Sequence, residues 1–473
     1  MIPLTAAEIA QAVSGRLHGV EDPEALTLTH AETDSRQMRT GSLFIAKPGE
    51  TTDGHNFIDQ ALEVGAQLVL AERETQDASG NPHPAVIVDD AVAAMGALAA
   101  EVVRRIGDHS PTTVIGITGS AGKTTTKDLL AALLSPEGPT VAPQGSYNGE
   151  VGVPLTVFTA ELDTRFLIIE MGADAPGNIR ELCEMVHPEI GVVLMVGTAH
   201  AGKFGGTDKI AATKGELAEA IPAQGHVILN ADDAQVSAMA ERAQAPITWF
   251  GESSAADLRA ENLTLDEQGH LVFDLVSETG RSTVTSGLIG AHHITNILAA
   301  ATAAHRAGAE LEEIASRLQG LGPSSRWRME RTDRSDGVTI INDAYNANPE
   351  SMREALRTLA ILSREAGRRS VAVLGEMLEL GEESPWRHHQ IGETVVRLNI
   401  DQTLVVGEGA YPLYRGAIAE GSWADEVHWT ADAEQAEAWL RAALRPGDIV
   451  LFKSSNGAGL RLLGDIIAAE ERN

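Results

Sequence analysis

The chain has 473 residues, 43% of them hydrophobic and 22% charged, a balance typical of globular proteins with two to four domains. Its 36 Lys and Arg against 67 Asp and Glu give a net charge of −31, which disfavours nucleic acids and anionic membranes as partners. The one cysteine, Cys183, excludes an intrachain disulfide and a cysteine-rich zinc site. The N-terminus lacks a secretory pattern, and no run approaches about eighteen apolar residues. We therefore expect a cytoplasmic protein without membrane insertion.

Residues 1–108 are expected to form a small mixed α/β domain. Residues 42–46 and 67–70 are apolar runs of strand length, and residues 91–106 form an alanine-rich run typical of a helix. The segment 107–111, Gly-Asp-His-Ser-Pro, has the composition of a linker.

The next segment has the order of a phosphate-binding site: strand, glycine loop, helix start. Residues 113–118 form a β-branched run, and helical character begins at Lys123. Glycines let backbone N–H groups approach a polyphosphate, while Lys123 offers a point charge and Thr124 a hydroxyl for Mg²⁺. Position 117, where the usual ATPase loop has a glycine, is isoleucine. The sequence therefore predicts ATP binding by an unusually short loop, formed by Gly119, Ser120, Ala121, Gly122, Lys123, Thr124 and Thr125.

The chain around this loop is expected to form a central ATP-binding domain over residues 109–322. Apolar runs at 166–169, 192–196 and 227–229 alternate with helical stretches, which is typical of a parallel sheet covered on both faces. Residues 263–289 alternate polar and apolar instead and predict an antiparallel extension, followed by a helix from about residue 294.

Residues 320–325 read as a second linker, and residues 323–473 are expected to form a C-terminal Rossmann-like open sheet. Its predicted strands lie at 339–341, 371–374, 404–406 and 449–452, separated by helical segments. The whole chain is thus predicted to be an α/β protein of three domains.

Polar residues follow several of the predicted strands, where ligands of such sheets gather. Glu170 is placed to reach a Mg²⁺ held by the loop threonine, and Asp343 is placed as a ribose ligand would be. Arg328, after the second linker, could reach a phosphate across a domain cleft. Alone, His200 is more often a structural residue than a ligand, but two successive polar strand ends after a phosphate loop shift those odds. Lys214 reads as a surface lysine.

Together these segments resemble the Mur ligase family, the ATP-dependent amide-bond-forming enzymes of peptidoglycan precursor synthesis. The resemblance runs from about residue 30 to near the C-terminus and is carried by the short loop and by residues 33–36, 53–57, 343–349 and 373–381. Within the family, these segments are most similar to the ligases that join D-alanyl-D-alanine to UDP-N-acetylmuramoyl-tripeptide through an acyl phosphate. The Asp-Asn-Pro-Arg pattern of many diaminopimelate-adding members is absent.

The resemblance implies ATP and Mg²⁺ as cofactors and a role for each matching residue. Lys123 and the loop amides would hold the ATP phosphates, Thr124 and Glu170 one Mg²⁺, and His200 with a carbamylated Lys214 a second. An ammonium cannot bind Mg²⁺, but CO₂ added to a neutral lysine amine creates an anionic oxygen ligand. The other implied contacts are Asn296 to adenine, Arg328 to the γ-phosphate, Asp343 to ribose, and Ser35, Arg36, His55 and Asn56 to the uridine nucleotide.

Three positions depart from the family pattern. Gly149 stands where paired asparagines are usual, His293 replaces an asparagine, and Asn456 replaces an arginine. The alternatives are a ligase that adds the third amino acid, a folylpolyglutamate-synthase relative, an ATPase without ligase activity, and an inactive binding protein. We expect a monomer. The third residue of the tripeptide and the side chains that bind the dipeptide remain open.

Overall fold

The computed structural model describes residues 1–49, 52–197, 206–423 and 425–469. Within these ranges the main sheets have their strands at 16–87, 113–289 and 330–453, one after another along the chain. The predicted α/β class and three-domain layout are therefore confirmed, while the exact boundaries at 108/109 and 322/323 stay predictions.

The N-terminal domain is built on a five-stranded sheet of order β2-β7-β6-β5-β4, beside a two-stranded β1–β3 pair. Its elements are β1 (Leu4–Thr5), α1 (Ala6–Ala12), β2 (Arg16–His18), β3 (Thr27–Leu28), β4 (His30–Glu32), β5 (Ser42–Ala46), α2 (Ile58–Val64), β6 (Ala66–Ala71), β7 (Ala85–Ile87) and α3 (Ala91–His109). Asp90 caps α3 by accepting the backbone N–H groups of Val92 and Ala93. The predicted helix end at 106 was too early: α3 continues to His109, so the linker is shorter than 107–111.

The central domain carries a sheet of order β16-β15-β14-β13-β12-β11-β8-β10-β9. Its elements are β8 (Thr113–Thr118), α4 (Lys123–Leu134), β9 (Thr140–Val141), α5 (Gly152–Val157), β10 (Phe166–Glu170), α6 (Asn178–Val186), β11 (Ile190–Val193), α7 (Thr207–Ala220), β12 (His226–Asn230), α8 (Ala234–Ser237), β13 (Ile247–Gly251), β14 (Leu258–Leu265), β15 (His270–Val276), β16 (Arg281–Ile289), α9 (Ile294–Arg306) and α10 (Leu311–Leu318). Strands β8 to β14 pair in parallel, and β14, β15 and β16 pair antiparallel. The antiparallel extension is thus confirmed, whereas β11 ends at Val193 and not at the predicted 196.

Both faces of the central sheet are covered by apolar clusters, which explains its continuous apolar strands. One cluster also contains the buried face of α3, which packs against α5 and α6. The last helix of the N-terminal domain is therefore part of the central core. In the ranges that the structure describes, no helix is both long and apolar enough to cross a membrane.

The C-terminal domain has a sheet of order β17-β18-β22-β19-β20-β21, parallel except for β17. Its elements are β17 (Glu330–Asp333), β18 (Thr339–Asn342), α11 (Pro349–Ala366), β19 (Ser370–Leu374), α12 (Ser384–Arg397), β20 (Gln402–Val406), α13 (Tyr411–Glu420), β21 (Val427–Thr430), α14 (Ala433–Ala443), β22 (Ile449–Lys453) and α15 (Leu460–Ala468). The carboxyl ends of β18, β22 and β19 lie side by side. We call this row the carboxyl edge.

Candidate active site

The phosphate loop connects β8 to the N-terminus of α4 as the sequence predicts. Gly122 has a φ of 83°, a left-handed conformation, and a Cβ built there would overlap the side-chain oxygen of Asn296. Only glycine fits this position without strain. The loop therefore presents backbone N–H groups and the positive end of the α4 dipole to one point, which is the geometry of an anion site.

Two side chains of the loop lack the partners that an anion would give them. The Ser120 hydroxyl is buried, and no described residue bonds to it. Lys123 is buried, its Nζ donates to the Gly119 carbonyl at 2.9 Å, and burial lowers its pKa. A bound phosphate would give the Ser120 hydroxyl the partner that it lacks and the Lys123 ammonium a counter-charge. Thr125 and Ala121 belong to the same turn, and Thr125 is buried.

A hydroxyl and a carboxylate meet directly behind the loop. The Thr124 hydroxyl donates to Glu170 Oε2 at 2.9 Å, and Asn148 donates to Glu170 Oε1 at 2.9 Å. Glu170 ends β10 and is only 1% exposed, so its charge faces the loop and not solvent. These oxygen donors suit Mg²⁺. Among the described residues no group of three or more His, Cys, Asp or Glu could hold a metal.

Arg328 reaches this pair from the C-terminal side of the second linker. Its Nη2 lies 3.3 Å from the Thr124 hydroxyl and 3.4 Å from the Ser146 hydroxyl, and its guanidinium stacks 4.4 Å from the Tyr345 ring centre. The backbone on both sides is left-handed, with a φ of 59° at Trp327 and 54° at Met329. Lys123 and Arg328 come from opposite sides of the second linker. Their positive charges flank the Thr124–Glu170 pair.

The residues assigned to the nucleoside lie on either side of the linker. Asn296 accepts a hydrogen bond from the Thr126 hydroxyl at 3.3 Å and packs on Gly122, in contact with the phosphate loop. Asp343 follows β18, where it accepts the Met329 N–H at 3.1 Å and pairs with the buried Lys453. Both positions therefore border the cleft between the two domains.

Lys214 is buried on α7, so its interpretation as a surface lysine was wrong. Its side chain is removed from water, and this desolvation, with the nearby Lys123 charge, lowers its pKa from 10.5 to about 7. A substantial share of the amine is therefore neutral at neutral pH, which is the form that reacts with CO₂. His200 lies outside the described residues.

The four residues assigned to the uridine nucleotide lie in two short 3₁₀ turns, Ser35–Gln37 and Gly54–Phe57. His55 is buried; one ring nitrogen lies 2.7 Å from Asp53, and the other accepts the Glu72 N–H at 3.0 Å. Ser35 is also buried and donates to Gln60 at 3.0 Å. Arg36, which pairs with Asp34, and Asn56 are exposed.

Three family models match the chain along most of its length. They are described as the Mur ligase family catalytic domain at residues 27–111, the Mur ligase middle domain at 117–304 and the Mur ligase glutamate ligase domain at 327–456. The UDP-N-acetylmuramoyl-tripeptide–D-alanyl-D-alanine ligase of Mycobacterium bovis is 43% identical, with 100% of this chain and 99% of the relative covered. The chain belongs to the Mur ligase family.

Other relatives agree over the full length. The ligase of the same name from Bacillus subtilis is 31% identical, with 99% of each chain covered. The crystal structure of MurF from Acinetobacter baumannii superposes with a TM-score of 0.87 at 30% identity, with 99% of each chain covered. MurF from Thermotoga maritima in complex with ADP superposes with a TM-score of 0.77 at 28% identity, covering 93% of this chain and 97% of that one.

Sequence reasoning missed several residues of this Mur ligase site. Ser146 and Asn148 bond to Thr124 and Glu170, and Lys453 pairs with Asp343. Asn148 is next to Gly149, and Lys453 lies shortly before Asn456, so both are close to positions where the sequence differs from the family pattern. The sequence gives these two side chains no role of their own. Ser146 lies in an irregular loop with no signal that could have found it.

Unsatisfied buried atoms concentrate at the same cleft. Apart from Ser120, they include Arg328 Nε, His292 Nδ1 and His293 Nε2, which have no partner among the described residues. Asn296 donates to His293 Nδ1 at 3.1 Å, so His293 Nε2 carries the proton and is a free donor. Burial lowers the pKa of His293 well below its usual value, which keeps the ring neutral. The histidine at the second departure therefore supports Asn296 and adds a donor to a Mur ligase nucleotide cleft.

Proposed function

We propose that this chain joins D-alanyl-D-alanine to UDP-N-acetylmuramoyl-tripeptide, with ATP converted to ADP and phosphate. The observation that carries the proposal is the meeting of Arg328, Thr124 and Glu170 beside the phosphate loop. It brings a C-terminal cation to the phosphate and metal donors of the central domain. Full-length relatives that bear the name of this ligase support the substrates.

The reaction requires two anions to approach each other. An oxygen of the tripeptide carboxylate attacks the γ-phosphorus, the bond from that phosphorus to ADP breaks, and an acyl phosphate results. Lys123 and Arg328 would neutralise charge on the transferred group, because each lies at the loop with a hydrogen-bonding site to spare. Bound Mg²⁺ would supply further charge neutralisation, held by Thr124 and Glu170.

The dipeptide amine then attacks the acyl carbon. A carbon–nitrogen bond forms, the carbon–oxygen bond to phosphate breaks, and phosphate leaves with the electron pair while the amine loses a proton. No covalent enzyme intermediate is needed, so the work of the protein is positioning and charge neutralisation. Closure of the C-terminal domain over the other two would bring the amine to the acyl phosphate. Small-angle scattering that does not change when an ATP analogue and the tripeptide substrate are added together would count against closure.

A second Mg²⁺ is proposed at His200 and Lys214. The low pKa of Lys214 supports its carbamylation, since the neutral amine can add to CO₂. A new nitrogen–carbon bond forms, a proton is released, and the resulting carbamate carries an anionic oxygen that suits Mg²⁺.

The uridine nucleotide is proposed to bind at the two 3₁₀ turns of the N-terminal domain. Arg36 and Asn56 are exposed and can contact it directly, whereas the bonded ring of His55 and the buried Ser35 would shape the turns. On the nucleoside side of ATP, Asn296 is proposed to contact adenine and Asp343 ribose.

An amine-panel assay tests the function and separates the alternatives. ADP release should depend strictly on both UDP-N-acetylmuramoyl-tripeptide and D-alanyl-D-alanine. Release without the dipeptide would indicate an ATPase, release with a single amino acid and UDP-N-acetylmuramoyl-dipeptide the third-residue ligase, and none at all an inactive binding protein. We further propose a cytoplasmic monomer, which sedimentation velocity on the purified protein and fractionation of cells would check.

A further inference from the structure

The carboxyl edge carries a carboxylate that the mechanism above does not use. Glu376 follows β19, is half-buried, and its side chain makes no hydrogen bond or ion pair with any described residue. Its carboxylate packs against the chain after β20 so closely that a Cβ built on Gly409 would overlap it. Among the described residues no cation pairs with it, so this carboxylate is available to a positively charged ligand.

The nearest titratable group does not supply that partner. His388 is buried; its Nδ1 donates to the Ser384 carbonyl at 2.7 Å and its Nε2 accepts the Met377 N–H at 2.9 Å. Burial lowers the pKa of His388, so the ring stays neutral at neutral pH. His388 therefore carries no positive charge that could pair with Glu376.

The backbone around Glu376 is fixed although its side chain has no partner. Its carbonyl accepts the Ser455 N–H at 2.9 Å, and the Leu378 N–H donates to the Ser455 hydroxyl at 2.9 Å. Leu378 is exposed beside Gly457, whose hypothetical Cβ would lie 3.0 Å from the leucine methyl. Backbone hydrogen bonds to Ser455 thus hold a segment that carries one carboxylate, Glu376, and one exposed apolar side chain, Leu378.

This place is connected to the phosphate loop through a series of intermediate residues. The Ser455 hydroxyl donates to the Ala347 carbonyl at 3.4 Å, and the same segment continues to Glu350 at the start of α11. A Cβ on Gly197 would lie 3.4 Å from Ser120 and 3.7 Å from the Glu350 carboxyl carbon. Two strand spacings separate β18 from β19, which places their ends roughly 10 Å apart.

We infer that Glu376 binds the ammonium group of the incoming dipeptide and holds it toward the acyl phosphate. This inference rests on the proposed function and names a residue for the amine substrate. The ammonium of D-alanyl-D-alanine is complementary in charge to the carboxylate, and its methyl groups are of the kind that the exposed Leu378 side chain could contact. The bound ammonium must lose one proton before its nitrogen can attack, and the Glu376 carboxylate is the group that would accept it. The second proton leaves the nitrogen as the amide forms and goes to the departing phosphate.

The test compares E376Q with E382Q, which removes one exposed carboxylate from the same loop. E376Q is expected to raise the KM for D-alanyl-D-alanine by about 10–100-fold, the usual cost of losing a hydrogen bond to a charged group. The KM values for ATP and for the nucleotide substrate should stay within about 2-fold of wild type, and E382Q should behave as wild type throughout.

Hydroxylamine provides a second measurement, because it is a small and largely uncharged amine that traps the acyl phosphate as a hydroxamate. E376Q should form hydroxamate from ATP and the tripeptide substrate at the wild-type rate. If wild type forms no hydroxamate, the proposed function fails. If wild type forms it but the E376Q KM for the dipeptide is unchanged, the inference about Glu376 fails.

Thermal unfolding separates binding from a structural role. A carboxylate that only stabilised the N-terminus of α13 would lower the melting temperature when replaced, without a change in the dipeptide KM. That result would overturn the inference. Equal melting temperatures with a raised dipeptide KM would support it.

Discussion

Replacement of Lys214 by methionine should stabilise the protein while abolishing its activity. A pKa that falls from 10.5 to about 7 corresponds to about 5 kcal/mol, at roughly 1.36 kcal/mol per pKa unit. This is the cost of keeping the charged amine out of water and close to the Lys123 charge, and a methionine of similar shape would avoid both. The amine is nearly fully buried, so screening by solvent does not reduce the figure.

The expected gain depends on pH in a defined direction. A lysine whose pKa is lower in the folded state destabilises that state fully below pH 7, where both states are protonated. The penalty shrinks as the pH rises and disappears above 10.5. K214M should therefore exceed wild type by several kcal/mol at about pH 6.5, and by only about 2 kcal/mol at pH 9.

Urea unfolding in metal-free, CO₂-depleted buffer measures these differences. K209M is the matched control, because Lys209 lies on the same helix and is exposed. Bicarbonate should stabilise wild type and leave K214M unchanged, since only wild type can form a carbamate. A K214M protein that is less stable than wild type at pH 6.5, or one that retains ligase activity, would refute the reasoning.

Three other predictions concern the phosphate and metal donors. R328K keeps the charge but loses the planar guanidinium, so kcat/KM for ATP should fall about 10–100-fold. The control R326K, at an exposed arginine, should match wild type. Equal kinetics for both variants would contradict a role of Arg328 in phosphate binding. E170Q should raise the Mg²⁺ concentration for half-maximal activity at least about 10-fold in a magnesium titration, and an unchanged midpoint would exclude a metal role. G122A, with a φ of 83° and overlap with Asn296, should abolish ADP binding measured by calorimetry; near-normal affinity would show that the loop tolerates a side chain.

Hydrophobic periodicity and the positions of strand ends were sufficient to predict part of the fold. The alternation over 263–289 gave the antiparallel extension, and the apolar runs gave Glu170 and Asp343 their places at strand ends. These features are local, because the side-chain period and the turn residues decide them. The late end of α3 was missed because Gly107 reads as a helix stop, whereas the helix continues through residues 107–109 as an exposed turn.

The electrostatic character of the site could not be predicted from the sequence, because it depends on contacts between residues that are far apart in the chain. Lys214 reads as a surface residue because nothing in its local sequence marks a buried position, and only the packing of α7 on the sheet removes it from water. The contact between Arg328 and Thr124 spans 204 positions and depends on how two domains dock. The Glu376 carboxylate likewise lies against Gly409, in the turn that follows the neighbouring strand β20, a contact that local sequence does not show.

Asp343 divides its two oxygens between different tasks. One oxygen accepts the Met329 N–H, just after the second linker. Trp327 and Met329 have a left-handed backbone there, at a cost of about 1–2 kcal/mol each. The other oxygen pairs with Lys453 at the end of β22. A nucleotide that bonds to the Asp343 carboxylate would therefore compete with Met329 and Lys453 for its two oxygens. Binding of ATP and the backbone conformation of the segment around Arg328 would then be coupled through this one carboxylate.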